Sequence, residues 1–597
     1  MPEGKTNPII LQDFSGGWVS KKDQESDALA PNESPDLENV DFDGKGSFRI
    51  RRGFELFGNR TATGGDITVT HTMIRPIRKD EVPIRQRGTA LEYYHTGTSN
   101  WETVPVVGSI TSGAKVGFTN FTSATDVVDY VYYCDGVMAL ERWNGGHSLL
   151  NGALSGGEGT VTVDSTAGFI TGGAGSIDIG GSTVTYTGTT ATTFTGCSGV
   201  PAAADNAPVE QLGDAFAASS GAKPVGNILV GWNAQLVVAD EQFVKISDTA
   251  DFTDWGSGLA TTKGFSGGVI TGLTVQDKKL LVFTENSIQA IEYEFTGDQT
   301  GFILRTENIE TTPGYGSKVF TGITKADNEV YYVAADSVVR RVVRSPVSAL
   351  FDTGSISENI KNTLKDYTLT NAVAAFYRNK LYFAVQSDES DINDLVLVFD
   401  LKYSRKNASG EAWTKYRMYV NDFFVYGGNF FAASSATPNT FRLFENSSGD
   451  AILEDDDAAI AWYYTTPQLD FGQPHLNFRF TKYVSRGFIS SEAEITNTVL
   501  YDYGTESEQE TTLDGDDSSW VNTPALLALG EGVVGEGEAG AAVDPFDGVY
   551  PFTYIENYGT IDAYNTQVKI SGKTAGEQYK QTKLILYIEP QDDVMTN

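Results

Sequence analysis

Four stretches of this sequence repeat one pattern: an apolar strand, a polar turn, a second apolar strand, another turn and a third strand. They read ILVGWNAQLVVADEQFVKIS, ITGLTVQDKKLLVFTENSIQAIE, FTGITKADNEVYYVAADSVVRRV and AVAAFYRNKLYFAVQ. Their starts fall near Ile228, Ile270, Phe320 and Val373, and their first turns at Asn233, Asp277, Asp327 and Arg378-Asn379. Related units lie at Phe424 (VYGGNFFAAS) and from Phe118 to Trp143. Period-2 alternation runs through Ile228, Val230 and Trp232, through Val330, Tyr332 and Ala334, and through Leu395, Leu397, Phe399 and Leu401. Such alternation predicts half-buried antiparallel strands joined by hairpins. β units recurring every ~40–55 residues suggest propeller blades. No WD or kelch signature supports that, and independent hairpins of a sandwich are the competing arrangement.

Helical spacing is almost absent. Its best instance is Ser355 to Lys365, where Ile356, Ile360 and Leu364 repeat at i, i+4, i+8. Ser355 and Glu358 there have the spacing of a capping box. The fold class expected is therefore all-β: a β-propeller-like body with a small inserted β module and a C-terminal β-sandwich.

Composition shifts place the boundaries. Residues 1–60 carry Gly, Pro, Asn and Asp around isolated apolar anchors (Ile10, Leu11, Phe14, Trp18, Leu37, Val40, Phe48, Ile50). Such a segment cannot build its own core. It is expected as an extended arm over the body or a neighbouring subunit, or as an edge strand on its own domain. Residues 61–153 hold the first blades. Residues 154–212 are Gly- and Thr-rich, and Ile177/Ile179 with Val184/Tyr186 give this insert a core face that Phe169 and Phe194 can fill. The remaining blades occupy 213–455, and the C-terminal sandwich 456–597. Within the last, Gly530 to Gly548 is an acidic, Gly-rich loop.

The net charge is −35, spread along the chain. A phosphate-binding protein needs a basic footprint, so specific nucleic-acid binding is not expected. An acidic channel wall that lets DNA slide past and plain solubility of a large assembly both fit. Cys134 and Cys197 match no metal spacing. A disulfide between them stays open, with free thiols favoured in a protein made in cytoplasm. The opening MPEGKTNPIILQDF lacks the plan of a signal peptide, and no run of 18 apolar residues predicts a membrane span.

Catalytic signatures are missing. His71, His95, His147 and His475 form no HExxH, and neither GxSxG nor a P-loop occurs. Each histidine reads as a surface or turn residue. Glu454–Asp457 reads as a solvated linker, and Asp41, Asp43 and Gly44 as a turn. Asp514, Asp516 and Asp517 come closer to a calcium loop but lack the full EF-hand spacing. No enzyme, catalytic residue, cofactor or metal is expected. Paired carboxylates for glycoside hydrolysis remain formally open. Arg85/Arg87 and Arg340/Arg341/Arg344 read as partners of the surplus acids rather than as an anionic-sugar site.

The N-terminal stretch carries Phe14, Gly16, Gly17, Pro31, Asn32, Glu33, Asn39, Gly46, Arg51, Arg52 and Gly53. In that order they resemble the opening of bacteriophage tail proteins: Phe-x-Gly-Gly, a Pro-x-Glu segment, an Asn, then a short basic stretch before Gly. The Gly/Thr-rich insert looks like a β module of phage virion proteins. Thr466 to Gly472, followed by Phe480 and Lys482, is similar to the entry of the C-terminal domain in propeller-type tail proteins. The resemblance implies a structural virion protein of the nozzle, tail-tubular or hub type, assembled in the host cytoplasm. It further implies a homo-oligomeric ring, usually a hexamer. The other partners it implies are tail proteins such as the tube or adaptor and the fibres, with DNA passing through the lumen during ejection. The alternative is a receptor-binding or polysaccharide-degrading tail spike or fibre, in which Trp101, Trp143, Trp232, Trp255 and Trp413 would offer stacking faces to sugar.

Overall fold

In the computed structural model, the described residues are 7–20, 29–43, 46–61, 65–104, 110–123, 128–166, 168–170, 174–212, 218–249, 251–295, 302–344, 351–404, 411–469, 478–501, 506–517, 519 and 549–590. They are almost entirely β. Among them, α-helix is confined to Lys361–Asp366 and Leu401–Ser404.

Seven antiparallel sheets follow one another along the chain. The first runs from Ile67–Arg75 to Asn100–Thr103 and the second from Gly117–Ser123 to Glu141–Trp143. The third spans Ile228–Trp232 to Thr261–Gly264, the fourth Ile270–Gln276 to Phe302–Glu310, and the fifth Ile323–Ala326 to Phe351–Ser355. The sixth spans Thr368–Tyr377 to Trp413–Arg417, and the seventh Asp422–Tyr426 to Thr440–Leu443.

Five of these sheets open with the same hairpin. Its turns are Asn233-Ala234, Asp277-Lys278, Asp327-Asn328, Arg378-Asn379 and Gly427-Gly428, all with φ between 47 and 76°. Left-handed conformation at both central positions is the type I′ turn, whose twist matches the flanking strands. Asn, Asp and Gly accept that conformation with the least strain. The turns then stitch neighbouring sheets together. Trp232 Nε1 donates to the Lys278 carbonyl, Gln276 Nε2 to that of Asn328, and the Tyr377 hydroxyl to that of Gly428.

The opening strand of each sheet packs beside that of the next. Ile67–Arg75 lies beside Gly117–Ser123, which lies beside Ile228–Trp232, which lies beside Ile270–Gln276. The 3-10 turn Phe320–Gly322 carries the series into the fifth sheet, then Thr368–Tyr377 and Asp422–Tyr426 follow. Asp422–Tyr426 packs back against Ile67–Arg75.

Face-to-face stacking corrects the half-buried expectation. Leu381, Phe383, Leu395, Leu397 and Phe399 meet the fifth sheet on one side, while Tyr382, Ala384, Val396 and Val398 meet the seventh on the other. Leu395–Asp400 is consequently buried at every position. Alternation marks which face a residue takes, and here both faces have neighbours.

The terminal part holds a six-stranded and a five-stranded sheet. Phe480, Tyr483, Ile495, Val568 and Ile570 fill their shared core, which is continuous with the core between the fifth and sixth sheets. The N-terminal segment is woven into all of this. Asn7–Leu11 pairs with Leu584–Ile588, and Phe48–Ile50 with Lys580 and Gln581. Leu37 and Glu38 pair with Tyr464 and Tyr463 of the other terminal sheet. Phe54–Leu56 then crosses to the seventh sheet and pairs with Phe441–Leu443. The described residues of 1–60, expected as an extended arm or as an edge strand, thus supply strands to three sheets that other segments build. Short polar pieces with isolated anchors can bury those anchors only in cores that other segments build.

The inserted module starts pairing at His147–Leu149, seven residues ahead of the expected 154, and ends with Pro208–Gln211. Val161, Ile177, Ile179, Val184, Tyr186 and Phe194 form its own core, with Phe169 edge-on to Phe194 at 4.9 Å.

Around the single helical spacing, Ile356, Ile360 and Leu364 are buried. The Ser355–Glu358 box does not form, because Ser355 ends a strand. The Glu411 carboxylate instead accepts hydrogen bonds from the amides of Glu358 and Asn359 at 2.9 and 2.8 Å.

Candidate functional site

The residues that carry the N-terminal resemblance converge on one joint between the seven sheets and the terminal pair. Phe14 is fully buried and meets Phe48 and Tyr464 edge-on, at 5.3 and 5.6 Å. The Gly16 amide donates to the Asn32 carbonyl at 2.9 Å, and a Cβ on Gly16 would stand 2.5 Å from that oxygen. Gly17, at φ 81°, lies against the Trp413 backbone of the sixth sheet. Glu33 accepts from the Ala30 amide and so holds the turn through Pro31. The Gly46 carbonyl accepts from the Phe14 amide at 2.7 Å.

Arg51 is the centre of the joint. Its side chain is 1% exposed. The guanidinium donates to both Asp455 oxygens at 2.8 and 2.5 Å, the bidentate geometry that suits a carboxylate. Its Nε donates to Asn39 Oδ1 at 2.7 Å, and that oxygen also accepts from the Arg417 amide. Asn39 Nδ2 donates in turn to the Ala461 carbonyl. Three chain segments, from the N-terminus, the sixth sheet and the terminal sheets, therefore share one satisfied buried network. Gly53 sits so close that a Cβ would fall 1.9 Å from the Glu454 carbonyl oxygen. Only glycine fits such an approach.

Ion pairs surround this centre. Arg52 and Arg378 both bind Glu445, Lys415 binds Asp36 at 2.7 Å, and Arg60 binds Asp456 at 2.8 Å. Lys380 binds Asp41, and Lys580 binds Asp43. Burial alone would raise the Asp41 carboxyl, but the charges of Lys380 and Arg49 outweigh it and hold the group below its ordinary value. Glu445 is also held low, chiefly by its hydrogen bond from Arg378. Two cavities open here. One of about 390 Å³ is bounded by Arg49, Arg52, Phe488, Tyr579 and Lys580, and one of about 190 Å³ by Tyr377, Arg378 and Lys380. The described polar groups form matched charges around a buried guanidinium, an arrangement that fastens surfaces together.

Other sequence candidates are placed as follows. Glu454–Asp457 is part of the joint rather than a linker, through Asp455 and Asp456. Asp41 and Asp43 are ion-pair partners as well as turn neighbours. The Asp514–Asp517 turn closes on itself, with the Asp516 amide 3.3 Å from Asp514 Oδ1. Among the described residues, no group of three or more His, Cys, Asp or Glu side chains could hold a metal ion. His71 stands half-buried in the strand Ile67–Arg75 rather than in a turn; burial of its ring depresses it to about 4, and the ring stacks on Phe118. His95 and His147 face each other with centroids 5.0 Å apart. His475 lies outside the described residues, as do residues 470–472 and 520–548, which include the acidic Gly-rich stretch.

Arg85 and Arg87 both pair with Glu92, Arg340 with Asp336, Arg341 with Glu329 and Arg344 with Asp277. Trp101, Trp143, Trp232 and Trp413 are buried in cores. Cys134 and Cys197 are free thiols. No described helix is long and apolar enough to cross a membrane. Asp36, Glu411 and Glu445 carry no signal in the sequence, since no local pattern marks an acid whose partner lies far along the chain.

No family model matches this chain, and no curated protein matches it. Among solved structures, the chain is similar to the extracellular domain of a hybrid two-component system from B. thetaiotaomicron. That likeness has a TM-score of 0.27 and 9% identity over 83% of this chain and 77% of the other, too little to bear on fold or function.

Proposed function

We propose that this chain is a structural subunit of a bacteriophage tail, a ring-forming nozzle or hub component around the DNA-ejection channel, and not an enzyme. In this reading the seven sheets are the blades of a β-propeller, and the two terminal sheets are a β-sandwich. The cyclic order of opening strands supports the propeller, and the shared core of the terminal sheets supports the sandwich.

One observation carries the functional reading. The residues by which the N-terminus resembles tail proteins form the joint that ties propeller to sandwich. Arg51, Asn39 and Asp455 close that joint with buried, mutually satisfied hydrogen bonds. A subunit that resists load while DNA passes needs its domains fixed in this way. The surplus negative charge suits a wall along which phosphates slide without sticking. Subunits would meet head to tail in a closed ring.

Electron microscopy of the purified chain, alone and mixed with other tail proteins, tests the proposal. Rings with a central opening are expected. A chain that stays monomeric at high concentration with those proteins present would sink it, as would shortening of host polysaccharide by the chain.

A further inference from the structure

The inserted module has a core of its own, and it meets the first sheet across a small set of ionisable side chains. Glu210 sits at the centre of that seat and is 8% exposed. Within the module it is flanked by two strands, with His147 directly opposite on one and Asp178 on the other. From the first sheet, the Tyr93 hydroxyl donates to Glu210 Oε1 at 2.9 Å and lies 3.2 Å from Glu102 Oε2. The rings of His95 and Tyr93 complete the wall against His147, at 5.0 and 5.2 Å. Two cations stand nearby, and neither pairs with Glu210; Arg78 Nη1 is buried without a hydrogen-bond partner. Arg75 binds Asp80 and the Gly145 carbonyl, and Arg78 faces Asp80 at 3.6 Å.

No cation pairs with Glu210 among the described residues. Its facing groups are a phenol, two imidazoles and two further carboxylates. His147 Nδ1 is 3.1 Å from the Gly145 carbonyl, so this nitrogen carries hydrogen and donates. His95 Nδ1 accepts from the Thr98 amide, so its hydrogen is on Nε2. Both hydrogen-bonding patterns suit neutral rings, and a neutral ring offers a carboxylate no counter-charge. The seat therefore tolerates Glu210 as a carboxylic acid far better than as a carboxylate.

The seat and the module core belong to separate apolar clusters. Tyr93 and Trp143 pack with the first and second sheets, whereas Ile177, Val184 and Phe194 pack among themselves. Parting at the seat would break the Tyr93–Glu210 bond and the bond from Trp143 Nε1 to the Gln211 carbonyl. It would leave the module interior intact.

We propose that this seat is a proton-dependent latch, in which the module stays docked while Glu210 is uncharged and swings off as a unit when Glu210 ionises. Burial, followed by the charges of Glu102 and Asp178, pushes the Glu210 carboxyl up to about 8, against the lowering effect of the Tyr93 hydrogen bond. A carboxyl raised in the docked state favours docking at low pH and loses that contribution as pH rises through its docked value. On the acid side, burial and then Arg75 hold His147 down to about 4, so the imidazole stays neutral across the same range.

Hydrogen exchange on the full-length chain from pH 6 to 9.5, corrected for intrinsic rates, tests the latch. Protection of the Trp143 indole Nε1–H, whose bond to the Gln211 carbonyl crosses the seat, is expected to fall roughly tenfold between pH 7 and 9. Protection at Ser182–Tyr186 and Lys380–Gln386 is expected to hold. Glu210→Gln should remove the pH dependence, and Glu102→Gln should move the midpoint to lower pH. Seat protection that stays level with the interior in the unsubstituted chain would overturn the proposal, as would an unchanged profile in Glu210→Gln. Should Glu210→Gln fail to fold, an unmoved midpoint in Glu102→Gln does the same.

Discussion

The N-terminal joint and the module seat both fasten a part of the chain onto the seven sheets, by opposite electrostatic means. The joint pairs charges: Arg51 with Asp455, Lys380 with Asp41, Arg52 and Arg378 with Glu445. The seat instead buries Glu210 among groups that offer it no counter-charge. The joint also threads one continuous segment through three sheets, whereas the module leaves and re-enters the body at neighbouring points. Matched charges and threading make a fixed connection. A lone protonated carboxyl makes one that conditions can undo.

The largest expected effect comes from Gly53→Val. A side chain 1.9 Å from the Glu454 carbonyl oxygen forces backbone from backbone. A loss of more than about 4 kcal/mol is expected, or no folded chain at all, read as the denaturant midpoint. Arg51→Met should cost about 3 kcal/mol, because it leaves Asp455 and Asn39 without their buried donor. A loss below about 1 kcal/mol in a double-mutant cycle with Asp455→Asn would show that the pair is not what secures the joint.

The two connections should also answer pH with opposite signs. Asp41 and Glu445 are held low in the folded chain. Their contribution is full above their ordinary carboxylate values and is lost as pH falls through the depressed ones. Acid should therefore loosen the joint and spare the seat's Glu210, while mild alkali does the reverse. Thermal melts with exchange readouts on each side separate the two; a common sign would erase the contrast.

Tyr93→Phe is a smaller change, about 1–2 kcal/mol confined to the seat, because Glu210 loses its one described hydrogen bond. The smallest is Asn233→Ala, remote from both connections. At φ 50° alanine is strained by about 1 kcal/mol, seen as a small drop in Tm with neither connection's exchange altered.

How much of this was legible in the sequence follows from interaction range. The β character is written locally, in alternation and in turn residues. Asn233, Asp277, Asp327 and Asn379 mark the type I′ turns because Asn and Asp accept φ near 50° with the least strain, while Ala234, Lys278 and Arg378 take the same conformation beside them. The third and fourth sheets begin at Ile228 and Ile270, where the repeat was read. Burial of both faces of Leu395–Asp400 was hidden, since alternation reports faces and not neighbours. The Ser355 box failed because the preceding strand claims Ser355. The joint was visible only as an ordered set of residues resembling tail proteins. Nothing near Arg51 in sequence names Asp455, which is some four hundred residues away.

The pairing of Phe54–Leu56 with Phe441–Leu443 sets a timetable for biogenesis. The ribosome releases the first strand long before its partner exists, tens of seconds at roughly 5–20 residues per second. Until then the seventh sheet lacks its outer edge, and the early strand is exposed to whatever else is being made. Closure of that sheet must join segments nearly four hundred residues apart, a slow step by contact order. A prematurely terminated product would keep that strand unpaired, ready to be trapped by a chaperone or by another nascent copy.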